Sequence, residues 1–244
     1  MTDQVLTCVL QYAGYALEAT ICLLLFWQGK WRRLKGLCLY IAALFILDGV
    51  ARSAALSFFG ESSTQYYYLY WVTDALLTLG AFLLICGFFR RALVQQEKLW
   101  GVWRLALVFV FLLVVGVSAL TFSRNYAHLY GKPFIVEFSQ NLYFSCLVLN
   151  TVLYVMMQQL AIEDEELGFL VCGLGIQFAG EAAGLALYHV TGQAFASHIF
   201  GILNPICALG MYLTWVYAIM KTPQAVPIGS RPGKRATLLP AVAD

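Results

Sequence analysis

A chain of 244 residues that is 61% hydrophobic and only 11% charged cannot wet its surface as a soluble domain does, where about a quarter of residues carry charge. Lipid is therefore the expected solvent for most of that surface, and the bilayer the expected partner. A net charge of +2 is too small to suggest nucleic acid, so no such partner is expected.

Apolar runs of about 20 residues have the length a helix needs to cross roughly 30 Å of hydrocarbon. Seven can be marked, at about 5–27, 34–58, 66–89, 100–122, 134–157, 167–189 and 197–220. The expected fold is all-α, an integral membrane bundle of seven transmembrane helices formed by residues 1–220. Short connections make consecutive helices antiparallel neighbours. Twelve basic residues follow the odd-numbered spans one, three and seven or begin the fourth (Lys30, Arg32, Arg33, Lys35, Arg90, Arg91, Lys98, Arg104, Lys221, Arg231, Lys234, Arg235). Only Arg124 and Lys132 belong to the opposite side. Basic residues collect in cytoplasmic loops, so the N-terminus is expected outside and the C-terminus in the cytoplasm. The acidic loop Glu163–Glu166 falls on the cytoplasmic side without upsetting this, because acids weigh little in that rule.

The first span follows an acidic MTDQ start and precedes its basic cluster, the reverse of a cleaved signal. It carries Glu18, near mid-membrane. The second span, LFILDGVARSAAL, holds Asp48 and Arg52, an acid four residues before a base, which is the favourable order for an intrahelical pair. Such a pair can be architecture alone. The third span opens with QYYYLYW, rings suited to the headgroup layer, and contains Asp74. The fifth carries Glu137, Gln140, Asn141 and Asn150, the first three at its outer rim. In the sixth, Gly180 and Gly184 flank Glu181 in a small-xxx-small spacing that favours close helix packing. In the seventh, Pro205 follows Asn204 and is expected to kink the helix. Residues 221–244 hold four of the six prolines and read as a disordered cytoplasmic tail.

Counting from the outer helix ends at roughly 1.5 Å per residue puts Asp48, Arg52, Asp74 and Glu181 about 9–15 Å deep, with Asn204 at the same level and Glu18 deeper. The inference is a polar, ligand-binding pocket in the outer half, framed by the second, third, sixth and seventh spans. Its members are Asp48, Arg52, Asp74, Glu181 and Asn204. Arg52 faces three acids there, more than one guanidinium neutralises, so the surplus must be protonated, hydrated or bound to something. Glu18 and Glu181 are the proton-linked candidates.

Other chemistry is thinly represented. Asn204-Pro205 lacks the tyrosine of an NPxxY signature, Ala208 standing in its place, and the seventh span has no lysine for a retinal Schiff base. His128, His189 and His198 lack metal-ligand spacing, so no metal site is expected. The seven cysteines lie in apolar runs and predict no disulfide framework. No phosphate loop, nucleophile elbow or HExxH occurs. Neither a cofactor nor catalytic residues are expected, and the reading is not an enzyme.

The stretch YYYLYWVTDALLTLGAFLLICGFFRRAL (Tyr66–Leu93) resembles a group of bacterial seven-helix membrane proteins to which no activity is assigned. The resemblance implies a multi-pass protein of the bacterial inner membrane, and it carries no functional residue across. The functional expectation is a sensor or receptor-like module. It would bind a small molecule or a proton from outside and signal to a cytoplasmic or membrane protein partner. A small proton-coupled transporter and a non-catalytic subunit of a larger membrane complex are the alternatives.

Overall fold

The computed structural model describes residues 2–60, 63–94, 96–125, 134–191 and 193–221. The tail read from the last proline-rich stretch, His128 and Lys132 lie outside these, as do the side chains of Arg124, His189 and His198. The helices are α1 (Thr2–Trp27), α2 (Lys35–Leu44), α3 (Ser53–Phe59), α4 (Thr64–Ala92), α5 (Glu97–Asn125), α6 (Phe134–Gln159), α7 (Glu165–Thr191) and α8 (Gln193–Lys221). No strand occurs among the described residues. Seven helical stretches, α2 and α3 counting as one, are long and apolar enough to cross a membrane.

Local chemistry sets several ends. The Ser63 hydroxyl accepts the Tyr66 N–H at 3.1 Å and starts α4. Asp164 Oδ1 accepts the Leu167 N–H at 3.1 Å and starts α7. After α1 the chain turns through Gly29 at φ 65°, a left-handed conformation that glycine adopts without steric cost.

The second span departs from the expected continuous α-helix. Between α2 and α3 the backbone widens into a π-helical segment, Phe45–Arg52, which contains both Asp48 and Arg52. π turns are rare and concentrate at functional sites. Gly49 lies in this segment, and a Cβ there would stand 3.4 Å from the Tyr15 ring of α1. The absent side chain lets the two helices meet.

Six spans close a ring. Contacts run from α1 to α8, α8 to α7, α7 to α6, α6 to α4, then α4 to α2 and its π segment, and back to α1. The remaining helix, α5, lies outside this ring against α6 and α4. Its attachment is aromatic: Trp103 stacks on Phe89 at 5.0 Å, and Phe111 meets Phe82 at 5.6 Å. Its other face leaves Leu105, Phe109, Leu112 and Leu120 exposed. Large apolar side chains such as Leu23, Leu39, Phe58 and Leu83 continue that exterior around the ring. An apolar surface of this extent is compatible with a multi-pass membrane protein.

Between apolar helices in lipid, close packing and polar contacts do the holding, because lipid is as apolar as leucine. α7 and α8 follow this rule. A Cβ on Gly180 would fall 2.5 Å from Cys207 Sγ, and one on Gly173 would fall 2.7 Å from Trp215 Nε1. Trp215 is fully buried and donates to the Leu170 carbonyl at 3.0 Å, so the packed ring also spends its one polar hydrogen. α8 continues as a helix through Pro205.

Candidate functional site

The ring encloses a cavity of about 260 Å³. Every residue of the pocket expected from the sequence borders it: Asp48, Arg52, Asp74, Glu181 and Asn204, together with Glu18. The frame is wider than expected. α1 contributes Gln11, Tyr15 and Glu18, and α6 contributes Tyr143, so all six ring spans take part. The common level follows from helix rise, since each span is a ruler of about 1.5 Å per residue.

Arg52 is the best-held group. Nη1 donates to Asp48 Oδ1 at 2.5 Å, Nε donates to Thr73 Oγ1 at 2.9 Å, and Nη2 lies 3.4 Å from the Tyr70 carbonyl and 3.6 Å from Asp74 Oδ1. The Tyr70 ring stands 4.3 Å from the guanidinium carbon, a cation–π contact. All three guanidinium nitrogens are engaged. Beside its ion pair with Arg52, Asp74 accepts a hydrogen bond at Oδ2, from Ser139 Oγ of α6 at 2.5 Å. These contacts bind the π segment, α4 and α6 into one polar knot.

Arg52 and Glu181 border the same cavity, but no ion pair joins them among the described residues. Glu181 Oε1 instead accepts from Gln177 Nε2 at 3.1 Å, one turn earlier on α7. The same amide nitrogen donates to Asn204 Oδ1 of α8 at 3.0 Å. Gln177 is thus the bridge between Glu181 and Asn204, and its own Oε1 is buried without a partner among the described residues.

Glu18 belongs to the same cavity by a different route. It is 2% exposed, and Tyr212 of α8 donates its hydroxyl to Oε1. Oε2 has no partner among the described residues. Among the described residues the cavity therefore has four acids, one base and five tyrosines in its walls. The base and two of the acids satisfy one another, and the other two acids have only neutral donors.

Thr73, Ser139, Gln177 and Tyr212 escaped the sequence reading. Gln177 alone left a signal, four residues before Glu181 and on the same helical face. The fifth-span candidates go elsewhere. Asn141 Nδ2 donates to Ser118 Oγ of α5 at 3.0 Å, and buried Asn150 donates to the Val171 carbonyl at 3.0 Å.

A larger cleft of about 860 Å³ lies at the opposite, basic end, bordered by Arg33, Arg91, Lys221 and the Asp164–Glu166 turn. Its charges are largely spent on each other. Arg91 donates to Asp164 at 2.8 and 2.9 Å and to Glu166 at 2.6 Å, Arg33 pairs with Glu166 at 2.9 Å, and Lys221 pairs with Glu165 at 3.0 Å. Lys30, in the turn after α1, donates to the Ile219 carbonyl at 2.6 Å; burial pulls its ammonium below the ordinary lysine value. This end is a clasp joining α1, α2, α4, α7 and α8.

Between clasp and cavity lies a dry layer. Ile21 and Leu25 follow Glu18 on α1, Ile41 precedes Asp48, Ile85 and Phe89 follow Asp74, Leu170 precedes Glu181, and Trp215 follows Tyr212. All are fully buried. Helix direction places each on the clasp side of its polar neighbour, so the floor is apolar on these five helices, while α6 brings buried Asn150 to the same level.

No protein-family model, curated protein or solved structure matches the chain.

Proposed function

We propose that this chain is a seven-span membrane protein, its N-terminus outside and its basic clasp in the cytoplasm, that works as a sensor or receptor-like module. A small molecule or a proton enters the polar cavity from the outer side. Occupancy changes the packing of α7 and α8, and the change reaches a cytoplasmic or membrane partner through the clasp. The basic-residue asymmetry supports this orientation, and the resemblance of Tyr66–Leu93 to bacterial seven-helix membrane proteins supports an inner-membrane setting.

The observation that carries the reading is a pair of buried acceptors without partners among the described residues. Buried polar atoms without partners are expensive, and native proteins keep few of them except where something binds. Glu18 Oε2 and Gln177 Oε1 are two such atoms, on residues of α1 and α7 that line the cavity. The largely apolar floor, in which Asn150 is a polar side chain that already bonds the Val171 carbonyl, favours sensing over transport, because a conduit must offer polar stepping points on both sides of its site. Wall-to-clasp continuity is physical: α8 carries Tyr212 at the cavity, Trp215 in the dry layer and Lys221 at the clasp.

Native mass spectrometry of protein extracted directly into lipid nanodiscs tests the reading, followed by hydrogen exchange before and after stripping of small molecules. The expected result is a retained molecule whose removal speeds exchange both at the cavity and around residues 30–35 and 160–166. Retention without any change at the clasp would reduce the proposal to binding alone. Saturable uptake by proteoliposomes would replace it with transport.

A further inference from the structure

The charges and hydrogen-bond partners around the cavity differ in whether they are used, and this difference identifies the class of ligand. Resting on the binding reading above, we propose that the cavity takes a small organic cation bearing N–H donors, an ammonium or amidinium compound, and rejects anions of the same size.

Three observations lead there. First, the one base among the described residues of the cavity wall is consumed. Arg52 gives Nη1 to Asp48, Nε to Thr73 and Nη2 to Tyr70 and Asp74, with its face against the Tyr70 ring. An arriving carboxylate or phosphate would have to displace partners already aligned. Second, two of the four acids, Glu18 and Glu181, are not consumed. Glu181 is met by a neutral amide and Glu18 by a neutral hydroxyl, and no basic side chain pairs with either among the described residues. Third, Glu18 and Gln177, which line the cavity, each carry a buried oxygen without a partner among the described residues, Oε2 and Oε1, and both are acceptors. A site short of donors is completed by a donor. An ammonium group supplies both the missing hydrogens and the missing positive charge.

The remaining wall suits such a molecule. Tyr15, Tyr40, Tyr143 and Tyr212 also line the cavity, and their apolar ring area can cover a hydrocarbon attached to the cation. The volume of about 260 Å³ holds a compact molecule and not a peptide or a lipid. Protons compete for the same carboxylates, so acid solution opposes this ligand.

The test titrates the full chain in lipid nanodiscs with phenethylammonium, phenethyl alcohol and 3-phenylpropanoate, which share a skeleton and differ in charge. Thermal unfolding is followed by tryptophan fluorescence. The expected result is a saturable rise in unfolding temperature with the ammonium compound alone. Glu18→Gln and Glu181→Gln should each raise the half-saturating concentration about tenfold, the loss of one charge-assisted contact. Two variants are used so that one failing to fold leaves the other to decide. Stabilisation by the carboxylate and not the ammonium would overturn the cationic class while leaving a binding cavity in place. An ammonium response unchanged in both variants would also overturn it, because the probe would then be acting elsewhere. No response to any probe overturns the class. If native mass spectrometry then finds no retained molecule either, the binding reading falls with it.

Discussion

Tyr212 and Glu18 join the last helix to the first, the phenol donating to Oε1 while Oε2 stays buried and unpartnered among the described residues. The contact closes the ring and leaves half a carboxylate unused. Tyr212→Phe should lower stability by about 1–3 kcal/mol, the cost of leaving a buried acceptor without its donor. Glu18→Gln keeps a polar group at the same place and removes the charge, so stability in the absence of ligand should hold or rise. Unfolding in detergent by heat or by denaturant distinguishes them. Equal loss in both variants would mean that shape, not charge, matters at this position.

Arg52 should be the most sensitive position in the cavity wall. Arg52→Met strands Asp48 and Asp74; the Asp48 side chain is 36% exposed, so the cost should fall below the range of about 3–5 kcal/mol for a fully buried pair broken from one side. Arg52→Lys should be intermediate, because an ammonium cannot reach Asp48, Thr73 and Asp74 at once or lie flat on Tyr70. Asp48→Leu combined with Arg52→Met should be milder than Arg52→Met alone. Strict additivity in that double-mutant cycle would show that the pair is not coupled.

Glycines on α7 give a graded steric series. Gly180→Ala places a methyl 2.5 Å from Cys207 Sγ and 2.8 Å from its Cβ, and Gly173→Ala meets Trp215 at 2.7 Å. Each should cost about 1–3 kcal/mol through forced repacking. Gly168→Ala meets nothing within 4 Å and should be neutral or slightly stabilising. Cys207→Gly removes both colliding atoms and should recover Gly180→Ala in a stability assay.

At the clasp, two arginines on one carboxylate should behave differently. Arg33 is 44% exposed at its side chain, so Arg33→Ala should change stability by about 0–1 kcal/mol. Arg91 holds both Asp164 and a Glu166 side chain that is 1% exposed. Arg91→Ala should therefore cost about 3–5 kcal/mol, the penalty for a buried charge left alone. Unfolding of the two variants at low and high salt checks the contrast, and only the Arg33 contribution should fade with salt.

The level of the polar residues could be read from the chain because a helix advances evenly, so counting positions measures depth. Which residues pair could not. Pairing depends on how each helix is rotated about its axis, and helices that are apolar on every side carry little rotational signal. Asp74 thus finds Ser139, and Glu181 finds Gln177 in place of Arg52. The π-helical turn at Asp48 escaped for a related reason: over eight residues the patterns of α and π turns hardly differ. Glu18 was visible as an intramembrane acid, but its place in the same cavity depends on ring closure between α1 and α8, a contact between the chain's two ends. The acidic Glu163–Glu166 segment read as a loop. Its members instead cap α7 and bury a carboxylate between arginines.

The central claim is that buried carboxylates inside the ring are held open for a molecule from solution. Its most direct test is an experimental structure of the protein in a lipid nanodisc at a resolution that shows ordered water and small ligands. The account predicts density inside the ring within hydrogen-bond reach of Glu18 Oε2 and Gln177 Oε1, with the Arg52 knot intact beside it. A collapsed interior in which Glu18 and Glu181 pair with other side chains, or turn outward to the acyl chains, would contradict it.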